Sequence, residues 1–171
     1  MKKYLYPTFA VLITTVLAVS CKKDFDPGAT KVSKLAGEWF VALKDSAGND
    51  LSDLITITTY NTSANNDSLY IDDNDNLYGF KVKALANTSD LTFATTNGSN
   101  DYYEENYDPD YPQYYPQTLT ITDGKVLLKA GTSLAGNVTD SIYFKVKFSF
   151  NPDKTYIIAG TGRTNWDEDQ P

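Results

Sequence analysis

The chain has 171 residues, with 15 basic and 22 acidic side chains, no histidine and a single cysteine. Its net charge of −7 opposes nucleic-acid binding, because phosphates require a basic surface. The absence of histidine excludes Ser-His-Asp catalysis, Cys-His catalysis and histidine-ligated zinc. We therefore predict no catalytic residues, no cofactor, no metal site and no nucleic-acid partner.

The N-terminal residues have the features of a secretory signal. Lys2 and Lys3 precede an apolar run over 9–19 that is too short to span a bilayer, and small residues at 18–20 precede a cleavage point. Cys21 comes directly after them, and this arrangement resembles the lipobox of bacterial lipoproteins. In that class the signal is removed and the cysteine becomes the lipidated N-terminus. We expect a signal peptide over 1–20 and a membrane anchor of acyl chains on Cys21.

An alternative is a plain secretory signal in which the cysteine is incidental. An unpaired thiol is a liability in an oxidising compartment, which favours lipidation of Cys21. Residues 21–33 are polar enough to serve as a tether, and a Lys followed by acids resembles the surface-export signal of Bacteroidetes lipoproteins. We expect an outer-membrane lipoprotein on the periplasmic or cell-surface side, with the leaflet left open.

From residue 35 onward, apolar residues alternate with polar ones, a pattern that predicts strands. Between the segments 118–122 and 125–129, Asp123-Gly124 predicts a two-residue hairpin turn. Closure into an antiparallel barrel or sandwich would protect the strand edges. No helix is predicted beyond the signal. The nine predicted strands cover 37–44, 54–60, 68–72, 77–85, 91–95, 118–122, 125–129, 138–150 and 156–163.

Two positions indicate which closed architecture applies. Gly37 and Trp39 open the first strand as a G-x-W motif, and the only arginine, Arg163, ends the last strand. This pairing resembles lipocalin-like (calycin) barrels. The resemblance implies an all-β, antiparallel up-and-down barrel of about eight to ten strands over 34–167, followed by an acidic tail over 168–171. It also implies that Arg163 stacks on Trp39 and closes one end of the barrel.

A more specific resemblance rests on four segments: LAGEW at 35–39, LYGFKVK at 77–83, DSIYFKVKF at 140–148 and GTGRTNWD at 160–167. They are similar to Bacteroidetes lipoproteins known as lipid-binding putative hydrolases, and the similarity extends over 32–167. It implies a lipocalin-like fold and a lipid-type ligand. No nucleophile–base pair is visible to support the hydrolase part of that description.

Two groups of residues are candidate ligand contacts. The first is an inward-facing row on one strand, although such rows also fill the interior of small barrels. The second is the tyrosine-rich segment 97–117, which could form a binding element or a solvated loop packed over the sheet. The first group is Tyr78, Phe80 and Val82, and the second is Tyr102, Tyr103, Tyr107, Tyr111, Tyr114 and Tyr115.

Three functions follow from these patterns. The leading prediction is a cell-envelope lipoprotein whose barrel binds an apolar or amphipathic small molecule. The alternative is a surface lipoprotein that binds glycans or proteins through the tyrosine-rich segment. A third is a hydrolase that uses carboxylate pairs such as Glu104 and Glu105, although adjacency in sequence does not set their separation across a bond.

Overall fold

Eight antiparallel strands follow one another around a closed barrel in the computed structural model, which describes residues 29–105, 115–164 and 166–171. No helix in these ranges is long and apolar enough to cross a membrane. A short helix, α1, covers Asp101–Glu105, and 3-10 turns cover Ser33–Leu35 and Asp167–Asp169. The strands are β1 Gly37–Lys44, β2 Ile55–Asn61, β3 Ser68–Asp72, β4 Lys81–Asn87, β5 Thr92–Ser99, β6 Thr118–Thr132, β7 Val138–Phe148 and β8 Tyr156–Gly162.

The predicted all-β up-and-down barrel is therefore confirmed. Each strand pairs with its neighbour in sequence, and pairing of β1 with β8 closes the ring, with Trp39 opposite Gly162 and Lys44 opposite Ile157. The alternation along β7 shows why the sheet closes: Ile142, Phe144, Val146 and Phe148 are buried, while the residues between them face outward. Closure removes the free edges that such a sheet would otherwise expose.

Large side chains fill the barrel interior. Phe80 and Phe144 have no exposed surface and Phe148 is 1% exposed. Water can therefore contact almost none of their atoms, either from outside the barrel or from within it. Val82 and Val146 are equally buried beside them. The middle of the barrel is thus a packed hydrophobic core of the kind that eight-stranded barrels can form.

One end of the barrel, called here the plugged end, is closed by the 3-10 turn before β1. Leu35 of this turn is fully buried. The Trp39 indole Nε1 donates to Thr59 Oγ1 at 2.9 Å, and the Thr59 hydroxyl donates to the Leu35 carbonyl at 2.6 Å. This relay satisfies polar groups that would be costly to bury unpaired.

The predicted hairpin turn at Asp123-Gly124 is wrong. β6 runs through both residues as one strand, with Gly124 opposite Phe93 of β5 and Lys125 opposite Tyr143 of β7. The backbone φ of Asp123 is +55°, and the pairing register shifts between Thr122 and Lys125, so the dipeptide forms a bulge. Two predicted strands therefore merge, and eight strands form in place of nine.

Smaller differences lie at the other end of the barrel. β4 begins at Lys81, because the residues before it wrap around a buried carboxylate. The segment 97–117 contributes its first residues to β5 and then forms α1, where no helix was predicted. β7 stops at Phe148, and Phe150 lies beyond it.

Arg163 lies on the outer face of the barrel, whereas Trp39 lies on the inner face. Its guanidinium lies 5.7 Å from the centre of the Phe40 ring, bonds Glu38 at 2.8 Å and bonds Gln170 at 3.3 Å. The predicted stack on Trp39 is replaced by this contact, because successive residues of β1 point to opposite faces. A role of Trp39 and Arg163 in closing the plugged end stays a prediction.

We expect Arg163→Lys to lower the free energy of unfolding by about 1 kcal/mol. A lysine can keep one ionic contact with Glu38 but lacks the planar fork that also reaches Gln170 and covers Phe40. Denaturant unfolding of both proteins measures the change. A loss several times larger would mean that Arg163 has contacts beyond these three.

The C-terminal residues are held against the β6–β7 connection by one carboxylate. Asp169 is 1% exposed and accepts hydrogen bonds from the Thr164 hydroxyl and, at 2.7 Å, from the Ala135 backbone N–H. Hydrogen bonds from the hydroxyls of Thr164 and Ser133 lower the pKa of Asp169 to about 2. The predicted acidic tail over 168–171 is thus attached to the barrel.

This lowered pKa gives the attachment a pH dependence. Because the pKa of Asp169 is lower in the folded protein than its ordinary 3.8, its stabilising contribution is present above pH 3.8 and disappears as the pH falls toward 2. We expect the melting temperatures of the parent and Asp169→Asn proteins to converge over that interval. A constant difference from pH 6 to pH 2 would contradict the assignment.

Candidate functional site

The end of the barrel opposite the plugged end carries a cluster of aromatic side chains, called here the aromatic end. It is formed by Tyr78, Phe148, Phe150 and Tyr156. The strand directions place these residues together, because β7 ends and β8 begins at this edge of the barrel. Phe80 lies beneath the cluster, with its ring centre 5.8 Å from that of Phe148.

The rings of the aromatic end pack closely and leave part of their surface open. Phe148 and Phe150 stack nearly parallel at 5.3 Å, and Tyr78 meets both edge-on, at 4.9 Å and 5.2 Å. Phe150 is 46% exposed, while Tyr156 is 5% exposed. Burial raises the pKa of the Tyr78 phenol, and the neighbouring Tyr156 raises it further. The cluster therefore presents a half-open aromatic surface with phenol groups beside it.

A buried carboxylate shapes the loop that carries Tyr78. Asp73 has no exposed surface, and its two oxygens accept backbone N–H bonds from Asp75, Tyr78, Gly79 and Phe80 at 2.9 to 3.1 Å. Burial raises the pKa of Asp73, while the four N–H donors oppose that shift. The loop is thus wound around a single side chain, which fixes where Tyr78 projects.

A buried amide joins this loop to the tyrosine-rich segment. Asn100 Nδ2 donates to the carbonyls of Gly79 and Pro116, at 2.9 Å and 2.8 Å, and Asn100 Oδ1 accepts from the Lys81 N–H. Gly79 has φ +65°, and an added Cβ would lie 2.0 Å from the Tyr115 ring. Both described ends of the segment are therefore bound to the β3–β4 loop.

The carboxylate of Asp72 provides a second attachment. Tyr60 donates its hydroxyl to Asp72 Oδ2 at 2.9 Å, and Tyr102 donates its hydroxyl to Asp72 Oδ1 at 2.8 Å. Burial raises the pKa of both phenols, and the bond to Asp72 raises it further. Both phenols therefore stay protonated and donate at neutral pH.

The structure separates the predicted contact residues into groups. Phe80 and Val82 are fully buried in the barrel core, whereas Tyr78 lies at the aromatic end. Tyr102 and Tyr115 hold the tyrosine-rich segment to the barrel, and the Tyr103 N–H bonds the Asn100 carbonyl. Four predicted residues lie outside the described residues: Cys21, Tyr107, Tyr111 and Tyr114.

Other residues of the site were not predicted. Phe148 and Phe150 lie in the predicted strand 138–150, and Asp73 lies between the predicted strands 68–72 and 77–85, so the sequence pattern marks none of the three as a site residue. The preference of Asp and Asn for turns signals a loop at 72–76, but a pattern of residues does not show that one carboxylate is buried beneath it. Within the described ranges, no group of three or more acidic or sulfur side chains could hold a metal ion.

The described residues thus form a small, closed antiparallel β-barrel with a packed interior, a plugged end and a half-open aromatic end. The chain matches the family described as "Lipid-binding putative hydrolase" over residues 24–167, most of its length, and it belongs to that family. A search of the curated proteins found no match to the chain.

Proposed function

We propose that the protein binds a lipid-like amphipathic molecule at the aromatic end and not along the barrel axis. The observation that carries this proposal is the contrast between Phe80 and Phe144, which fill the interior, and Phe150, which is half exposed. Membership in a lipid-binding family supports the ligand class. A ligand on the axis would have to displace the core, whereas one at the aromatic end would cover surface that is already open.

The chemistry of the aromatic end suits an amphipathic ligand. The faces of Phe150 and Tyr78 offer flat apolar area for a hydrocarbon chain. The ammonium of Lys154 lies 4.7 Å from the centre of the Tyr156 ring, which places one positive charge beside this area. An anionic or polar headgroup near Lys154 would then remain in water while the chain packs on the rings.

Replacement of Phe150 by serine tests this proposal. Because Phe150 projects beyond β7 and is half exposed, we expect the Phe150→Ser protein to fold. We expect its lipid affinity to fall by about tenfold, because the ligand loses contact with roughly half of a phenylalanine side chain. Native mass spectrometry of the purified protein would measure retained lipid, and titration with a fluorescent fatty acid would measure affinity.

The matched control is Leu128→Ser, since Leu128 is 49% exposed and lies on β6, away from the aromatic rings. This variant should bind as the parent protein does. Equal affinity of the Phe150→Ser and parent proteins, with lipid still retained by both, would contradict the proposed location.

We propose further that Cys21 carries the acyl anchor of an outer-membrane lipoprotein, after removal of residues 1–20. The support is the lipobox-like sequence before Cys21 and the polar stretch after it. Metabolic labelling with an alkyne fatty acid would give a labelled band for the parent protein and none for Cys21→Ser. A parent protein released in soluble, unlabelled form would contradict the anchor.

Binding without turnover is proposed for this ligand. The chain has no histidine, and two carboxylates near the aromatic end are occupied by structural hydrogen bonds: Asp72 by two phenols and Asp73 by four backbone N–H groups. Ester and glycoside substrates should therefore remain intact in the presence of the purified protein. Hydrolysis that survives repeated purification would overturn this part of the proposal.

A further inference from the structure

We propose that the outer face of the barrel carries a second site, which binds an anionic amphiphile with its charged group on lysines of β7. This site lies outside the aromatic end and does not depend on it. Two neighbouring grooves form it: a basic groove across β6, β7 and β8, and an apolar groove across β4, β5, β6 and β7.

The basic groove has a volume of about 530 Å³. In the β6–β7 pairing, Thr120 lies opposite Lys147 and Thr122 lies opposite Lys145, so two ammonium groups and the Thr122 hydroxyl share the outer face. The Thr120 hydroxyl donates to Asn97 Oδ1 at 3.3 Å. Hydroxyl and ammonium groups together are suited to donate hydrogen bonds to an oxyanion. The lining residues are Ser46, Thr120, Thr122, Asp123, Lys145, Lys147, Thr155 and Ile157.

The apolar groove has a volume of about 590 Å³, within the range of small-molecule sites. It opens where the pairing of β5 with β6 becomes irregular, beside the bulge at Asp123 and Gly124. Leu85, which is 70% exposed, Ala94 and the Tyr143 ring provide apolar surface along its walls. An exposed leucine in a groove of this size is suited to contact with a hydrocarbon chain.

Asp123 lines both grooves and therefore joins them. Its carboxylate bonds the Lys145 ammonium at 2.8 Å, but the two side chains are 60% and 39% exposed. Such an exposed pair contributes little to stability, so an incoming anion can compete for Lys145 at small cost. A ligand could then extend from one groove into the other.

The charge of the grooves determines the ligand class. Their linings contain Lys125, Lys145 and Lys147 but only one acid, Asp123, although residues 21–171 carry nine more acidic than basic side chains. Within the described residues, Lys147 forms no ion pair. A local positive charge on an acidic protein complements a phosphate or carboxylate, and the adjoining apolar groove complements a chain attached to it.

Three probes separate the parts of such a ligand: dodecyl phosphate, inorganic phosphate and dodecyl maltoside, each as monomers, titrated into the purified protein by calorimetry. We expect dodecyl phosphate to bind at least about tenfold more tightly than either of the others. Equal affinity for inorganic phosphate would mean that the site binds a free anion without using the apolar groove. Equal affinity for dodecyl maltoside would mean that the charge of the ligand does not contribute to binding. Either result would overturn the proposal.

Matched double variants locate the charged group. Replacement of Lys145 and Lys147 by glutamine should weaken dodecyl phosphate binding by about tenfold, because each charge-assisted hydrogen bond to the phosphate contributes to the binding free energy. The same replacement of Lys81 and Lys83 on the outer face of β4, outside both grooves, should leave binding unchanged. Equal losses in both double variants would reveal general charge attraction and refute the site.

The Phe150→Ser protein distinguishes this site from the aromatic end. We expect the Phe150→Ser protein to retain a dodecyl phosphate site, and we expect replacement of Lys145 and Lys147 by glutamine in that protein to weaken the remaining binding by about tenfold. Loss of dodecyl phosphate binding in Phe150→Ser, with binding retained in the Lys145 and Lys147 double variant, would place the amphiphile at the aromatic end and overturn the inference.

Discussion

Asp73→Asn is expected to lower the free energy of unfolding by about 3 kcal/mol. The Asp73 carboxylate has no exposed surface and accepts four backbone N–H bonds, two on each oxygen. An asparagine can accept on one oxygen only, and its NH₂ group would face two N–H donors that then have no acceptor. The loop that positions Tyr78 would lose its central support. Chemical denaturation, with global fitting of the midpoint and slope, measures the change.

Asp153→Asn is the control for this substitution, because Asp153 is exposed in the β7–β8 turn. It should change the free energy of unfolding by less than about 0.5 kcal/mol. If Asp73→Asn were as stable as this control, the four hydrogen bonds would not stabilise the loop, and the described arrangement of the aromatic end would be wrong.

Gly160→Ala is expected to destabilise the barrel by about 3 kcal/mol or more, through the seam that closes it. Gly160 lies opposite Val41 in the pairing of β1 with β8. A Cβ at this position would lie 1.9 Å from the Phe40 carbonyl oxygen and 2.6 Å from the Val41 Cα, both backbone atoms that cannot rotate away. The two strands must therefore separate locally. Thermal unfolding and amide hydrogen exchange at the seam would measure both effects.

The neighbouring substitution Ala159→Ser also adds one heavy atom to β8 and serves as the control. Ala159 is partly exposed, so the added hydroxyl can reach solvent, and a change of less than about 0.5 kcal/mol is expected. If Gly160→Ala melted with the parent protein and showed unchanged exchange at the seam, β1 and β8 would not approach as closely as described.

The sequence carried enough information for the barrel because the signals are local and repeated. The alternation of buried and outward residues along β7 predicts both a strand and its inner face. The dipeptide Asp123-Gly124 misled the prediction, since the same residue types are favoured in hairpin turns and in bulges, and only the pairing partners on both sides distinguish the two.

The site was less predictable because it depends on contacts between distant residues. The hydrogen bonds of Asn100 to Gly79 and Pro116 join segments 21 and 16 residues away. The orientation of Arg163 toward Phe40 depends on which face of β1 each residue occupies at the seam. Tyr78 was predicted with the inward row of Phe80 and Val82, but the loop around Asp73 carries it to the end of the barrel.

A crystal structure of the purified protein with its retained lipid would show where the ligand binds. We expect ligand density against Phe150 and Tyr78 at the aromatic end, with Phe80, Phe144 and Phe148 in their packed positions. Ligand density along the barrel axis, with these three rings displaced, would contradict this expectation.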